Sequence, residues 1–155
     1  MEKGRLLLVE HDTRFATALK RGLEKNLYRV LLTGSAQEAG AILKNEKIDL
    51  ILLDVGCTGE DGMEFCRRIR KKHFIPVIFL GYTSDSEMQV RTLNCGGDDY
   101  VDRSGDFRVL LARIRSHIRR YRVYKEESMD KKSLLLGQFK IDPSRHMVWR
   151  MDEDG

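Results

Sequence analysis

Glu10, His11 and Asp12 follow directly on a short apolar run, Arg5–Val9, and Asp54 follows directly on another, Ile48–Leu53. Carboxylates brought together at two strand ends repel one another. Such a cluster normally holds a hard cation such as Mg²⁺ through oxygen ligands. A carboxylate beside a bound cation can accept a phosphoryl group, because the metal neutralises the charge that develops during transfer. The plainer alternative is that these are solvated loop residues. What separates the two readings is whether the elements behind them converge.

The hydrophobic pattern predicts that they do. Arg5–Val9, Arg29–Thr33, Ile48–Leu53, Pro76–Leu80 and Tyr100-Val101 are short apolar runs of the kind that form buried parallel strands. Between them lie helical segments: Thr13 to about Asn26, a capping box at Ser35 to Glu38 opening a helix to Asn45, Gly62–Lys72, Asp85–Asn94, and Asp106–Arg122. Parallel strands need crossover helices, so this alternation predicts a doubly wound α/β domain: a five-stranded parallel sheet with helices on both faces. Functional residues in such a sheet collect beyond the carboxyl ends of the strands, at the topological switch point. Glu10, His11, Asp12, Asp54, Gly81, Asp102 and Arg103 all stand there.

The 155 residues are 41% hydrophobic and 34% charged, which suits one ordinary domain and a little more. No apolar run approaches the roughly 20 residues of a bilayer span, and the start has no signal-peptide architecture. Neither membrane insertion nor export is expected. Three cysteines, Cys57, Cys66 and Cys95, form no CxxC pair, which suggests free thiols in a reducing, cytoplasmic compartment. The net charge of +4 comes from residues 1–120, concentrated in Arg67 to Lys72 and Arg113 to Arg122. A basic excess permits nucleic-acid contact, but both runs end helices, where cations also favour the helix dipole. There is no GxGxxG or GxxxxGK run, and no enzymatic activity is expected.

Beyond Tyr121 the character changes. Residues 122–133 are polar and without apolar period, reading as a linker or a fraying helix end. Leu134–Leu136, Gln138–Ile141 and Met147–Trp149 then suggest short strands punctuated by Gly137 and Asp142-Pro143. Residues 134–155 are too few to build a core of their own, so they read as the start of a truncated second domain.

The segments RLLLVEHD, IDLILLDVGCTGEDGMEFCRRIR, PVIFL and NCGGDDYVDRSGDFRVLLARIRSHIRR resemble a response-regulator receiver of the OmpR/PhoB family of transcription regulators, over residues 5–121. LLLGQFKIDPSRHMVW resembles the opening strands of that family's winged-helix DNA-binding domain. The resemblance implies a flavodoxin-like receiver at 1–121, a linker at 122–133, and an effector fragment at 134–155. It places Asp54 at the phosphoacceptor position and Glu10 at the first acidic metal position, with Asp12 beside it in the acidic pocket.

Three positions depart from the family pattern. His11 stands where a second metal-binding carboxylate is expected, Gly81 where Thr or Ser hydrogen-bonds the phosphoryl group, and Arg103, followed by Ser104, where a Lys pairs with it. Imidazole is a poor Mg²⁺ ligand, so any Mg²⁺ held by Glu10 and Asp54 is expected to be weak. Glycine has no hydroxyl to report a phosphoryl group, and a planar guanidinium does not replace a compact ammonium conservatively. Thr83 is a substitute hydroxyl only if its loop shifts. His11, if protonated, and Arg103 could instead neutralise Asp54 and Glu10 directly.

The resemblance also implies a symmetric homodimer through the fourth helix, fifth strand and fifth helix. Val90, Leu93 and Leu111 would form its apolar patch, Arg91, Asp98, Asp99, Arg113 and Arg115 its charges, and Tyr100 would be the switching aromatic. The expected function is that of an atypical DNA-binding transcription regulator, its receiver mainly a dimerisation module with weak or absent phosphorylation-dependent switching. DNA contact would come from the missing part of the effector domain. The alternative is a conventional two-component receiver phosphorylated on Asp54 by a histidine kinase. An adaptor that never meets DNA is a third reading, disfavoured by the tail.

Overall fold

The computed structural model describes residues 1–56, 62–131, 134–136, 139–142 and 147–150. Thirteen elements follow in order: β1 (Gly4–Val9), α1 (Thr13–Lys25), β2 (Tyr28–Thr33), α2 (Ala36–Asn45), β3 (Leu50–Asp54), α3 (Gly62–Arg70), β4 (Val77–Gly81), α4 (Ser86–Asn94), β5 (Asp99–Asp102), α5 (Phe107–Lys131), β6 (Leu134–Leu136), β7 (Phe139–Asp142) and β8 (Met147–Arg150). The chain divides into two compact units, Met1–Ile118 and Arg119–Gly155.

In the first unit β1 to β5 form one parallel sheet in the order β2-β1-β3-β4-β5. This is the flavodoxin-like order, with its switch point between β1 and β3. Every residue of β3 and β4 is buried, as expected for central strands covered on both faces. Successive side chains alternate across the sheet. Leu6, Leu8, Leu50, Leu52, Ile78, Leu80 and Val101 share one core with Ala16, Leu19 and Leu23 of α1 and Leu110, Ile114 and Ile118 of α5. Their sheet neighbours Leu7, Val9, Ile51, Leu53, Val77, Phe79 and Tyr100 point to the opposite face. The inward residues of α2 and α3, among them Ala39, Leu43, Phe65 and Cys66, are buried too.

The helix starts are chemically defined. Asp12 caps α1, its carboxylate accepting from the backbone N–H groups of Arg14 and Phe15 at 3.1 Å. At α2 the expected capping box is half realised. Ser35 Oγ accepts from the Glu38 N–H at 3.1 Å, but the Glu38 carboxylate takes the Thr33 hydroxyl instead of the Ser35 N–H.

One boundary differs substantially from the sequence reading. Helix α5 continues to Lys131, through most of the stretch read as a linker. There is no Gly or Pro between Gly105 and Gly137, Glu and Lys are good helix formers, and Lys125 lies 5.2 Å over the Tyr121 ring one turn back. Polarity without a breaker is compatible with helix. In the second unit, β6, β7 and β8 form an antiparallel sheet in that order, Leu134 opposite Ile141 and Phe139 opposite Arg150. Gly137 and Pro143, expected to punctuate these strands, lie outside the described residues, as does Cys57.

Candidate functional site

Parallel pairing of β1 with β3 sets Val9 against Leu53, so the next residues, Glu10 and Asp54, leave the sheet side by side. Both are buried, at 2% and 5% exposure. Two carboxylates desolvated together at a strand end must be compensated by a cation or by protonation.

Arg103 supplies the cation. It follows β5, its backbone N–H donates to the Gly81 carbonyl at 2.7 Å, and its guanidinium reaches across β4 to the acids. Nη1 donates to Glu10 Oε2 at 2.6 Å and to Asp54 Oδ1 at 3.2 Å, while Nη2 donates to Glu10 Oε1 at 3.3 Å. The fork is bidentate on Glu10 and bridges to Asp54. Its other face is covered by Phe15, with the guanidinium carbon 4.2 Å from the ring centroid. Burial alone would lower the Arg103 pKa, but Glu10 and then Asp54 outweigh it and raise it.

His11 completes the arrangement. Its Nδ1 lies 2.7 Å from Asp54 Oδ2 and 3.7 Å from Glu10 Oε1. Asp54 Oδ1 also accepts from the Gly56 N–H at 3.2 Å, so both oxygens of Asp54 are engaged by the protein itself. The ligand atoms of Glu10, His11 and Asp54 lie within 4.8 Å of one another. The donor set does not fit Mg²⁺. One ligand is an imidazole, both Glu10 oxygens are held by Arg103, and octahedral oxygen coordination is not offered. Asp12 offers no replacement, contrary to its assignment to the acidic pocket. Its carboxylate caps α1 and only its backbone N–H reaches Glu10, at 3.1 Å.

Gly81 explains a second departure. A Cβ at this position would lie 2.1 Å from the Tyr100 hydroxyl and 2.6 Å from its Cζ. The Tyr100 ring therefore fills space that any side chain at position 81 would need. Its hydroxyl donates to the Tyr82 carbonyl at 3.0 Å, and it is only 8% exposed. Thr83 does not turn toward Asp54. Its hydroxyl and N–H donate to Asp102 Oδ2 at 2.6 and 3.1 Å, while Ser104 occupies Asp102 Oδ1 through its hydroxyl and N–H. Hydrogen bonds from Ser104 and then Thr83 hold the Asp102 carboxyl far below the usual aspartate range.

Of the residues expected at a dimer face, Val90 and Leu93 are exposed, as are Arg91, Arg113 and Arg115, whereas Leu111 is half-buried against the α1/α5 core. Asp98 is engaged elsewhere. It pairs with Arg70 of α3 and accepts from the Val77 N–H at 2.8 Å, tying the start of β5 to α3 and β4. Asp99 accepts from Arg113 at 3.1 Å and meets His117 Nε2 at 3.0 Å. Burial would raise the Asp99 carboxyl, but His117, the Tyr100 N–H and Arg113 outweigh it and hold it low. His117 was not singled out in the sequence, although it lies one turn beyond Arg113 on α5 and so shares its face.

The response regulator receiver domain model matches residues 6–115. The chain belongs to this family. It is 40% identical over 149 residues to the transcriptional regulatory protein AfsQ1 of Streptomyces coelicolor, covering 96% of this chain and 64% of AfsQ1. It is 30% identical over 150 residues to the uncharacterised transcriptional regulatory protein YrkP of Bacillus subtilis, again covering 96% of this chain and 64% of the relative. The chain thus spans less than two thirds of the length of these two relatives. The BeF3-activated N-terminal receiver domain of Klebsiella pneumoniae RstA superposes with a TM-score of 0.71 at 31% identity, covering 74% of this chain and 98% of that domain. Among the described residues no helix is long and apolar enough to cross a membrane.

Two outcomes follow from this geometry. Arg103→Ala leaves two buried carboxylates without their cation and is expected to cost about 3 kcal/mol in urea unfolding, with Arg103→Lys recovering part of it. A loss below about 0.5 kcal/mol, the size of an ordinary surface substitution, would show that Arg103 does not carry the compensation. Gly81→Thr is expected to lose about 1–3 kcal/mol by overpacking against Tyr100, and Tyr100→Ala in the same chain is expected to cancel much of that loss. Additive losses in the double variant would contradict the steric coupling.

Proposed function

We propose that this chain is the receiver portion of a DNA-binding transcription regulator whose phosphoacceptor pocket is neutralised from within. On this reading the receiver serves mainly as a dimerisation module, and phosphorylation-dependent switching is weak or absent. The observation that supports it best is the Arg103 fork on Glu10 and Asp54 with His11 on the remaining Asp54 oxygen. A phosphoryl donor approaching Asp54 meets two cationic or hydrogen-bonding side chains already seated on its nucleophile. No divalent ion is drawn in to offset the developing charge.

Tyr100 supports the same reading from the switching side. With Gly81 in front of it, the ring has an inward place independent of any hydroxyl response at position 81. A two-state element responds to a ligand only through differential affinity for its two states, and here the pocket offers phosphate little to change. The receiver would then rest in one arrangement, and regulation would act on abundance or on the dimer.

The proposed dimer uses α4, β5 and α5 of each copy. Val90 and Leu93 provide exposed apolar surface on α4, and Arg91, Asp99 and Arg113 would supply the charges. Asp98 leaves the proposed interface because Arg70 holds it, and Asp99 remains its acidic centre. A two-fold pairing would let the Arg113 of one copy exchange its own Asp99 for that of the other at little cost. Winged helices attached to such a dimer would meet two half-sites at a fixed spacing. The cytoplasmic location expected from the cysteines fits this role.

Incubation with Mg²⁺ and an acyl phosphate, read by intact mass, tests the pocket. The proposal expects no phosphoryl adduct, whereas an adduct lost in Asp54→Ala would show that Asp54 accepts phosphoryl groups and favour the conventional receiver reading. Sedimentation tests the surface: Asp99→Lys is expected to leave the chain monomeric at concentrations where the parent dimerises, and a persisting dimer would place the interface elsewhere.

A further inference from the structure

Between α1 and the start of α5 the first unit holds a cavity of about 260 Å³ that the charge cluster does not account for. Its buried lining is apolar: Leu19 of α1, Leu80 of β4 and Leu110 of α5. Two partly buried phenyl rings line it as well. Phe107 packs on the bare backbone of Gly22, where a Cβ would lie 3.0 Å from its Cζ, and Phe15 packs on the Arg103 guanidinium. Ala18, Gly105 and Asp106 belong to the lining and are exposed, so the cavity opens to solvent between α1 and the turn before α5.

One wall is polar and incompletely used. Arg103 lines the cavity, whereas Glu10 and Asp54, the acids it serves, do not. A guanidinium carries five N–H donors in a fixed plane. Three are spent, two from Nη1 on Glu10 and Asp54 and one from Nη2 on Glu10. The Nε–H and the second Nη2–H lie side by side on the remaining edge, and they meet no acceptor among the described residues.

We infer that this cavity is a binding site for a neutral ring compound carrying a carbonyl-type acceptor, the ring seated between Phe15 and Phe107 and the acceptor on the unused edge of Arg103. The inference uses the Arg103 geometry alone and does not rest on whether Asp54 accepts phosphate.

Charge decides the class of ligand. Arg103 is already offset by Glu10 and Asp54, and two further carboxylates, Asp102 and Asp106, border the cavity. Both are held ionised, Asp102 by hydrogen bonds from Ser104 and Thr83 and Asp106 by those from Arg108. An anionic ligand would meet these carboxylates and a cationic one would meet Arg103, each after giving up hydration. A neutral acceptor gives up less and gains hydrogen bonds from a charged donor, which are stronger than those from a neutral one. The volume lies just below the roughly 300–1,000 Å³ usual for ligand cavities, which restricts the occupant to one or two rings. A ligand seated there would bridge α1 and α5, the helix that carries Arg113.

The experiment titrates benzamide into the full 155-residue chain, labelled with ¹⁵N and on its leucine methyl groups. Saturable shifts are expected at the methyls of Leu19, Leu80 and Leu110 and at the Arg103 Nε–H, with a Kd of about 1–10 mM, the range open to so small a ligand. Benzoate and benzylammonium are expected to bind roughly tenfold more weakly. Ala18→Leu fills the open side from an exposed helix position and is expected to weaken benzamide roughly tenfold while leaving the amide spectrum folded. No saturable shift at the three leucines up to about 50 mM benzamide would overturn the inference. So would leucine shifts without a change at the Arg103 Nε–H, equal binding of either charged compound, or undiminished binding by Ala18→Leu. If Ala18→Leu does not fold, Ala18→Met replaces it under the same criteria.

Discussion

Two buried carboxylates at adjacent strand ends are the constraint around which this receiver is arranged. The β1–β3 register leaves no choice about it: once Val9 pairs with Leu53, Glu10 and Asp54 emerge together into a pocket from which water is largely excluded. Uncompensated, such a pair would raise its own proton affinity or drive the strand ends apart. Arg103 resolves the conflict from the far side of β4, and Phe15 packs on its guanidinium. Helix α1 is placed by Asp12, which spends its carboxylate on the cap. Charge compensation, capping and ring packing are therefore one connected arrangement at the C-terminal edge of the sheet.

The same economy governs the β4–α4 side. Gly81 lacks a Cβ, and the space is taken by Tyr100 from the neighbouring strand, where Phe79 pairs with Tyr100 and Gly81 with Asp102. Thr83 and Ser104 then close on Asp102 from the two loops that follow β4 and β5. A side chain deleted at one position, a ring filling its place and a carboxylate binding two loops together form a surface with few unsatisfied groups. Among the described residues no buried side-chain nitrogen or oxygen lacks a hydrogen-bond partner.

Much of this was legible in the residues. Five apolar runs alternating with helical patterns specify a parallel sheet, and the sheet specifies where its strand ends converge, so the pattern alone puts Glu10, His11, Asp54, Gly81 and Arg103 at one edge. Pairings set by side-chain reach across the sheet or between helices were not legible. Asp98 and Asp99 look equivalent in sequence, yet one turns to Arg70 on α3 and the other to Arg113 and His117 on α5, because alternate residues leave a strand on opposite sides. Asp12 looks like a third pocket acid, but a helix N-terminus competes for the same carboxylate and wins. Residues 122–131 lack an apolar period, yet helix α5 runs through them to Lys131, because helix needs good formers and no breaker more than it needs hydrophobicity.

On the proposed reading, Arg103 and His11 take the role that a divalent cation would otherwise fill. A Mg²⁺ titration of the unmodified chain followed through the backbone amide resonances of Asp54, Val55 and Gly56 tests it most directly. Internal neutralisation predicts no saturable shift through millimolar Mg²⁺, and the appearance of one in Arg103→Ala. Saturation at sub-millimolar Mg²⁺ in the unmodified chain would mean that Arg103 yields to the metal, contradicting the account.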